Sequence, residues 1–391
     1  MESKGVKVSV GGWYQRTTLH LSELQAFFTN AESKLALSKS KLRQLHKRLE
    51  LKSVNRITGH FEYIQAITKT GLEIRYYEDG LYTIHAVTKD IEKANGVLRD
   101  YLNKKLLPAI SYLFSLGVPT PKILANIKET HATVVELVDR NPSKYEIDQR
   151  KFGKVYSKIS SQNITVYKTS WYIFIVGSPS QKEALTPIME NEIFFREFKD
   201  QLERYLDIHR AVWEEIAEIK EKKIIKGNQI PKYRSKLEAY KQTINLITHR
   251  ISQMGPYAKT RASIARNIKV EQKLMDLFQY RFEDLFSTLD YIKELWGVTR
   301  DYVSSGIGVV KELENKAMGT GIRSIQILAS VGVIGGFLGY FTRTEIPTLS
   351  KVGIGYFIGL AVLAVGINWG IKKVYSNKKY EIKFIERSKK L

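Results

Sequence analysis

The chain has 391 residues, enough for two or three domains with a sizeable core, and 43% of them are hydrophobic, which excludes a disordered chain. Lys and Arg number 62 against 40 Asp and Glu, a formal charge of +22 that favours contact with something anionic. Cysteine is absent, which excludes disulfides, thiolate metal sites and cysteine nucleophiles.

The opening Met1-Glu2-Ser3-Lys4 run leads into polar, strand-like sequence without an apolar stretch, so no cleavable signal peptide is expected. From Leu21 to Leu51, the residues Leu21, Leu24, Phe28, Leu35, Leu42, Leu45 and Leu49 form an apolar stripe that predicts one amphipathic helix. Its second half is basic, with Lys34, Lys39, Lys41, Arg43, Lys47, Arg48, Lys52 and Arg56 against Glu50 alone. Such a face suits anionic lipid or an anionic cytoplasmic protein, with Lys41, Arg43, Lys47 and Arg48 as candidate contacts; more often a helix of this kind packs on its own domain with its charges in water.

Two strands, Leu72–Tyr77 and Leu81–Val87, flank the turn sequence Glu78-Asp79-Gly80. A helix is expected from about Asp90 to Leu116, then a strand over Thr130–Val138. A second hairpin joins Ile164–Tyr167 to Trp171–Val176 around Lys168-Thr169-Ser170. Together these predict an α+β cytoplasmic domain over residues 1–178.

From Ser180 the pattern is helical. One helix is expected to reach Lys226 and stop at Gly227-Asn228-Gln229, and a second, opened by Pro231, ends near Gly255-Pro256. A third carries Ile264, Ile268, Met275, Phe278, Phe282, Leu285, Leu289, Ile292, Trp296, Val303, Val310 and Leu313 at alternating steps of four and three. Glu271, Thr299 and Gly306 interrupt this seam, which suits a helical bundle or a coiled coil. Residues 179–318 thus read as a long helical hairpin and stalk.

Residues 319–374 are expected to hold two C-terminal transmembrane helices. Ser324–Thr342 and Val352–Ile371 are charge-free runs of 19 and 20 residues, fenced by Arg323, Arg343, Lys351 and Lys372. The link carries only Arg343 and Lys351, whereas the tail at 375–391, with the flanking Lys372 and Lys373, is basic. The positive-inside rule then places both termini in the cytoplasm and the link outside, in a cell membrane crossed twice. Gly332 with Gly336, Gly335 with Gly339, Gly355 with Gly359 and Gly366 with Gly370 are small-residue pairs at helical spacing, which suggests a homo-oligomer in the lipid bilayer.

No P-loop, serine elbow, HExxH or dinucleotide fingerprint is present, so neither an enzyme nor a cofactor is expected. The seven histidines lack metal-ligand spacing. Glu214, Glu215, Glu218 and Glu221 could hold a hard cation or form ion pairs along one helix, so the metal question stays open. Lys232-Tyr233-Arg234 without a recognised binding fold does not favour nucleic acid.

The order of a cytoplasmic α/β domain, helical hairpin, stalk, first span, short loop, second span and basic tail resembles the CorA family of magnesium and divalent-cation channels. Where that family has Gly-Met-Asn, the sequence reads Gly339-Tyr340-Phe341, and the loop that would hold Met-Pro-Glu reads Glu345-Ile346-Pro347. The resemblance implies a pentamer whose first span lines a pore, with Thr320, Ser324, Gln326, Ser330, Gly339 and Tyr340 as lining candidates. Arg343 and Glu345 would stand at its outer mouth. With Phe341 in the asparagine position and Arg343 nearby, weak or absent divalent-cation conduction is expected. The alternative is a membrane-anchored scaffold without transport, in which Lys41, Arg43, Lys47, Arg48, Lys372 and Lys373 meet an anionic partner.

Overall fold

The computed structural model describes residues 6–14, 21–59, 61–113, 131, 133–221, 224–266 and 272–341. Beyond these it describes 358–359, 362, 365–366, 369–370, 373 and 377–381. The chain divides into two compact units, the first Met1–Ile208 with Leu246–Leu295, the second His209–Asn245 with Trp296–Leu391.

The first unit is built on a nine-stranded sheet. Its strands are β1 (Val6–Trp13), β2 (Leu51–Ile57), β3 (Tyr63–Thr68), β4 (Glu73–Tyr77), β5 (Leu81–Thr88), β6 (Thr133–Val138), β7 (Val155–Ser160), β8 (Ile164–Thr169) and β9 (Tyr172–Gly177). They lie in the order β2-β3-β4-β5-β1-β6-β9-β8-β7. Every pairing is antiparallel except β6 with β9. The β4–β5 hairpin forms where its turn sequence predicts it. Gly80 takes the left-handed conformation at φ 91°, and the Asp79 carboxylate accepts from the Leu81 amide at 3.0 Å.

The stretch expected as one helix is two, α1 (Leu21–Asn30) and α2 (Lys39–Leu49). Ala31 turns left-handed at φ 57°, and the Glu23 carboxylate holds the connection by accepting from Ser33 Oγ at 3.0 Å and Lys34 N at 2.9 Å. Ser38 then caps α2. Further on, α3 (Ile91–Tyr101) opens on the Asp90 cap and passes through a π turn, Leu102–Leu106, into α4 (Leu107–Leu113). Pro108 offers no amide to the turn before it, and the wider turn accommodates that loss.

Strand alternation gives the sheet two unlike faces. Val8 and Val10 of β1, Ile64 and Ala66 of β3, and Ile74, Tyr76, Tyr82 and Ile84 of β4 and β5 pack with Leu24, Phe28, Leu42, Leu45, Leu98 and Ile110 of α1 to α4 in one apolar core. Neighbours of opposite parity, Lys7, Ser9, Arg75, Tyr77, Thr83, His85, Glu136 and Lys168, project from the other face. That face meets α6 (Lys182–Glu221), α7 (Ile230–Arg266) and α8 (Gln272–Phe341), each of which contributes one part to this unit; a four-residue helix, α5 (Gln149–Phe152), precedes β7. Trp13 packs against Phe194, Phe198 and Tyr257 there. Helix α7 does not stop at Gly255-Pro256. Pro256 removes one backbone bond, and buried Ile251, Met254, Ala258 and Arg261 on both sides keep the helix continuous through it.

In the second unit, Ile219, Ile225, Ile230, Leu237, Val310, Leu313 and Tyr380 form the core, and β10 (Ile224–Lys226) pairs with β11 (Lys379–Glu381). Thr299, which breaks the apolar seam in the sequence, is fully buried with its hydroxyl 2.6 Å from His209 Nε2. The seam residues Phe278, Phe282, Leu285, Leu289, Ile292, Trp296, Val303, Val310 and Leu313 are all buried within the single chain.

Among the described residues, no helix is long and apolar enough to cross a membrane. This corrects the expected fold class, which included two transmembrane helices, and with it the expected location in a cell membrane with both termini in the cytoplasm. Lack of charge is a weaker criterion than apolarity: Ser324, Gln326 and Ser330, with Gly332, Gly335, Gly336 and Gly339, contribute little transfer free energy towards lipid. Residues 324–341 continue α8. Most of Val352–Ile371 and all of the link lie outside the described residues.

Candidate functional site

A cleft of about 600 Å³ opens in the first unit between the β7–β8 end of the sheet and helices α6 and α8. Its size is ordinary for a small-molecule site. Strand alternation points Lys168 of β8, Ile173 of β9 and Ser157 of β7 to the same face, and all three line it. Helix α6 adds Glu192, Phe195, Arg196 and Lys199, and α8 adds Arg281 and Asp284.

Glu192 organises the wall. Its side chain is 2% exposed, and it accepts from Lys168 Nζ at 2.8 Å and from both terminal nitrogens of Arg281, one of them at 3.3 Å. Burial alone would raise this carboxyl, but Arg281 and Lys168 outweigh it and hold it at about 2. Glu192 is therefore a fixed anion that positions two cations. The Arg281 guanidinium lies 4.0 Å from the Phe195 ring centroid, which restricts its plane further.

Burial lowers the Lys168 ammonium, Glu192 opposes that, and the charges of Arg281 and Arg196 lower it again. Two cations thus bond one buried carboxylate, and the charge of a third, Arg196, reaches Lys168. Arg196 has no carboxylate partner among the described residues. The outer carboxylates are differently engaged, Asp200 with Arg204 and Glu203 with Lys199. The whole lining is balanced, with Lys168, Arg196, Lys199 and Arg281 against Glu192, Asp200, Glu203 and Asp284, but Lys168, Arg281 and Arg196 stand together at its inner, aromatic wall. Such a site attracts a small anion and can bind it through charge-assisted hydrogen bonds.

A second polar cluster is sealed under α6 and α7. Arg261, 1% exposed, donates to Asp79 through Nη2 at 3.0 Å and lies 3.8 Å from Glu190. Its guanidinium is flanked by the rings of Phe61 and Tyr77 at 4.6 and 4.8 Å. The Tyr77 hydroxyl donates to Glu190, and burial raises both groups above their ordinary ranges. Nearby, His85 sits 2.8 Å from both Ser9 Oγ and Thr83 Oγ1, and burial keeps it neutral. The side chains of this cluster do not line the cleft, so it is architectural.

The residues expected to be functional lie elsewhere. Lys41, Arg43, Lys47 and Arg48 are exposed on α2. Thr320, Ser324, Gln326, Ser330, Gly339 and Tyr340 fall on the last third of α8, where Gln326 is exposed and Gly339 half-buried. Arg343, Glu345 and Lys372 lie outside the described residues, and Lys373 stands over the Trp369 ring at 4.8 Å. Among the described residues, no group of His, Asp and Glu is placed to hold a metal ion.

Sequence reasoning passed over Lys168, Glu192, Arg196 and Arg281. Lys168 lies in β8 and not in the turn expected around it. The available signal was the run Met189-Glu190-Asn191-Glu192-Ile193-Phe194-Phe195, in which two carboxylates interrupt an apolar stretch. The partners of Glu192, Lys168 and Arg281, are 24 and 89 positions away and carry no local mark.

No family model matches the sequence, and no curated protein matches it. Among solved structures, the chain has a distant similarity to the complete structure of the CorA magnesium transporter from Methanocaldococcus jannaschii. The identity is 10%, and the match covers 64% of this chain and 92% of that one. The TM-score is 0.21, so the overlay is too loose to carry a functional argument.

Proposed function

We propose that this is a binding protein without catalytic activity, whose first unit holds a small anionic ligand in the cleft between β8, α6 and α8. The observation that supports this reading is the Glu192 arrangement: one buried carboxylate fixes Lys168 and Arg281 in the cleft wall, beside Arg196, which has no carboxylate of its own among the described residues. A cation held in place before the ligand arrives loses little freedom on binding, which favours affinity. The ion-pore reading depended on membrane spans and is not carried forward.

Isothermal titration of the full chain with inorganic pyrophosphate tests the reading. Binding should be measurable and should weaken about tenfold or more in Arg196→Ala, the loss expected for one charge-assisted hydrogen bond of about 1.5–3 kcal/mol. No heat of binding up to about 10 mM, or equal binding by the variant, refutes it. A homo-oligomer is part of the same proposal, supported by the exposed Tyr280 and Tyr291 on α8. A single-chain mass in solution at micromolar concentration would refute that part.

A further inference from the structure

The basic helix singled out in the sequence is not part of the cleft, and its environment narrows what it can meet. Over α2 and the first residues of β2 stand Lys39, Lys41, Arg43, Lys47, Arg48 and Lys52, all exposed, against Glu50 alone. Glu50 is already paired with Lys105 at 2.7 Å. None of the six cations has a carboxylate within ion-pair distance among the described residues; the nearest engagement is Lys41 with the Gln44 amide oxygen at 3.3 Å. Lys39, Arg43 and Lys47 follow one another at steps of four, so like charges stack along one row of a helix about 16 Å long. That arrangement destabilises the helix, and the last-turn dipole relieves it only at Lys47 and Arg48. A local conflict of this kind marks a surface kept for binding.

Three anionic surfaces could satisfy it, and two fit poorly. A helix that lies on lipid must have its apolar face free, but Leu42, Leu45 and Leu49 are buried in the core of the first unit. Single-stranded nucleic acid is gripped by aromatic side chains interleaved with the cations, and residues 39–52 contain no Phe, Tyr or Trp. The third surface is peptide. β2 starts two residues after α2 ends and is the terminal strand of the sheet, paired on one side with β3 and with no strand on its other side among the described residues. Its residues Lys52, Ser53, Asn55, Arg56 and Ile57 are exposed. An edge strand offers main-chain donors and acceptors that only another polypeptide can pair in register.

We propose that α2 and the outer edge of β2 form one docking surface for an acidic, extended segment of a partner protein. The segment adds a strand to β2 while its carboxylates meet the unpaired cations of α2. Charge selects acidic sequence, and the edge selects extended backbone.

The test uses the full chain and a fluorescent octaglutamate peptide, read by anisotropy at low salt. The peptide should bind, and the triple variant Lys39→Glu, Arg43→Glu, Lys47→Glu should lose at least tenfold in affinity. An octaglutamate N-methylated at alternate amides keeps its charge but cannot pair along a strand, and it too should bind at least tenfold more weakly. Lys154→Glu, at the far edge of the sheet, should leave the affinity unchanged. Equal affinity for the two peptides would overturn the strand pairing, and no loss in the triple variant would overturn the role of α2. Failure of octaglutamate to bind, or tighter binding of polyuridylate or of phosphatidylglycerol vesicles, would overturn the peptide assignment.

Discussion

The two faces of the nine-stranded sheet are made from the same strands and solve different problems. One face carries Val8, Val10, Ile64, Ile74 and Ile84, packs on α1 to α4, and is held by burial of apolar area. The other carries Lys7, Arg75, Tyr77, His85, Glu136 and Lys168, and adds to the aromatic packing around Trp13 buried ion pairs with residues far along the chain, Arg75 with Glu190 and Lys168 with Glu192, and, from the β4–β5 turn, Asp79 with Arg261. Burying apolar groups asks only for volume and tolerates near substitutes. Burying charges asks for a particular partner, because an orphaned ion keeps its full desolvation cost. The polar face is therefore the less tolerant of the two, and it also forms the cleft.

The sharpest way to break this contrast is Asp79→Asn. It leaves Arg261 with only the more distant Glu190, at 1% exposure, and should lower unfolding free energy by about 3–5 kcal/mol in urea titration. A loss below about 1 kcal/mol would show that the polar face is as forgiving as the apolar one.

Acid pH should probe the same face through Glu192. Its carboxyl sits at about 2 in the folded chain against 4.5 ordinarily, so it is a depressed acid. Its contribution is present above pH 4.5 and is lost as pH falls from there through about 2. The shift corresponds to about 3 kcal/mol. Denaturation midpoints measured across that window should fall in the native chain and change less in Glu192→Gln. Parallel curves for the two proteins would remove Glu192 from the account.

On the apolar face, Ile84→Val removes one methylene from a fully buried site and should cost about 1 kcal/mol by the same titration. A cost matching that of Asp79→Asn would collapse the distinction. The smallest effect belongs to neither face. Lys104→Ala breaks an exposed pair with Asp100, whose side chains are 71% and 67% exposed, and should change stability by less than about 0.5 kcal/mol.

The sequence by itself determined the elements that depend on near neighbours. The β4–β5 hairpin is written in Glu78-Asp79-Gly80, the basic face of α2 in its own eleven residues, and the buried seam of α8 in the spacing of Phe278 to Leu313. Each depends on periodicity or turn chemistry within one stretch, which a linear reading can see. Where competing local forces decided, that reading failed: the Glu23 carboxylate broke one expected helix in two, and packing carried α7 through Pro256. Among the described residues of 324–342, the count of uncharged residues likewise misjudged the helix, because charge is only one part of transfer free energy. The cleft was decided by tertiary structure alone. Sequence shows Lys168, Glu192 and Arg281 as three ordinary charges, and only the fold brings both cations onto one buried carboxylate. Desolvation then makes that meeting obligatory, since Glu192 at 2% exposure is stable as an anion only while Lys168 and Arg281 stay beside it.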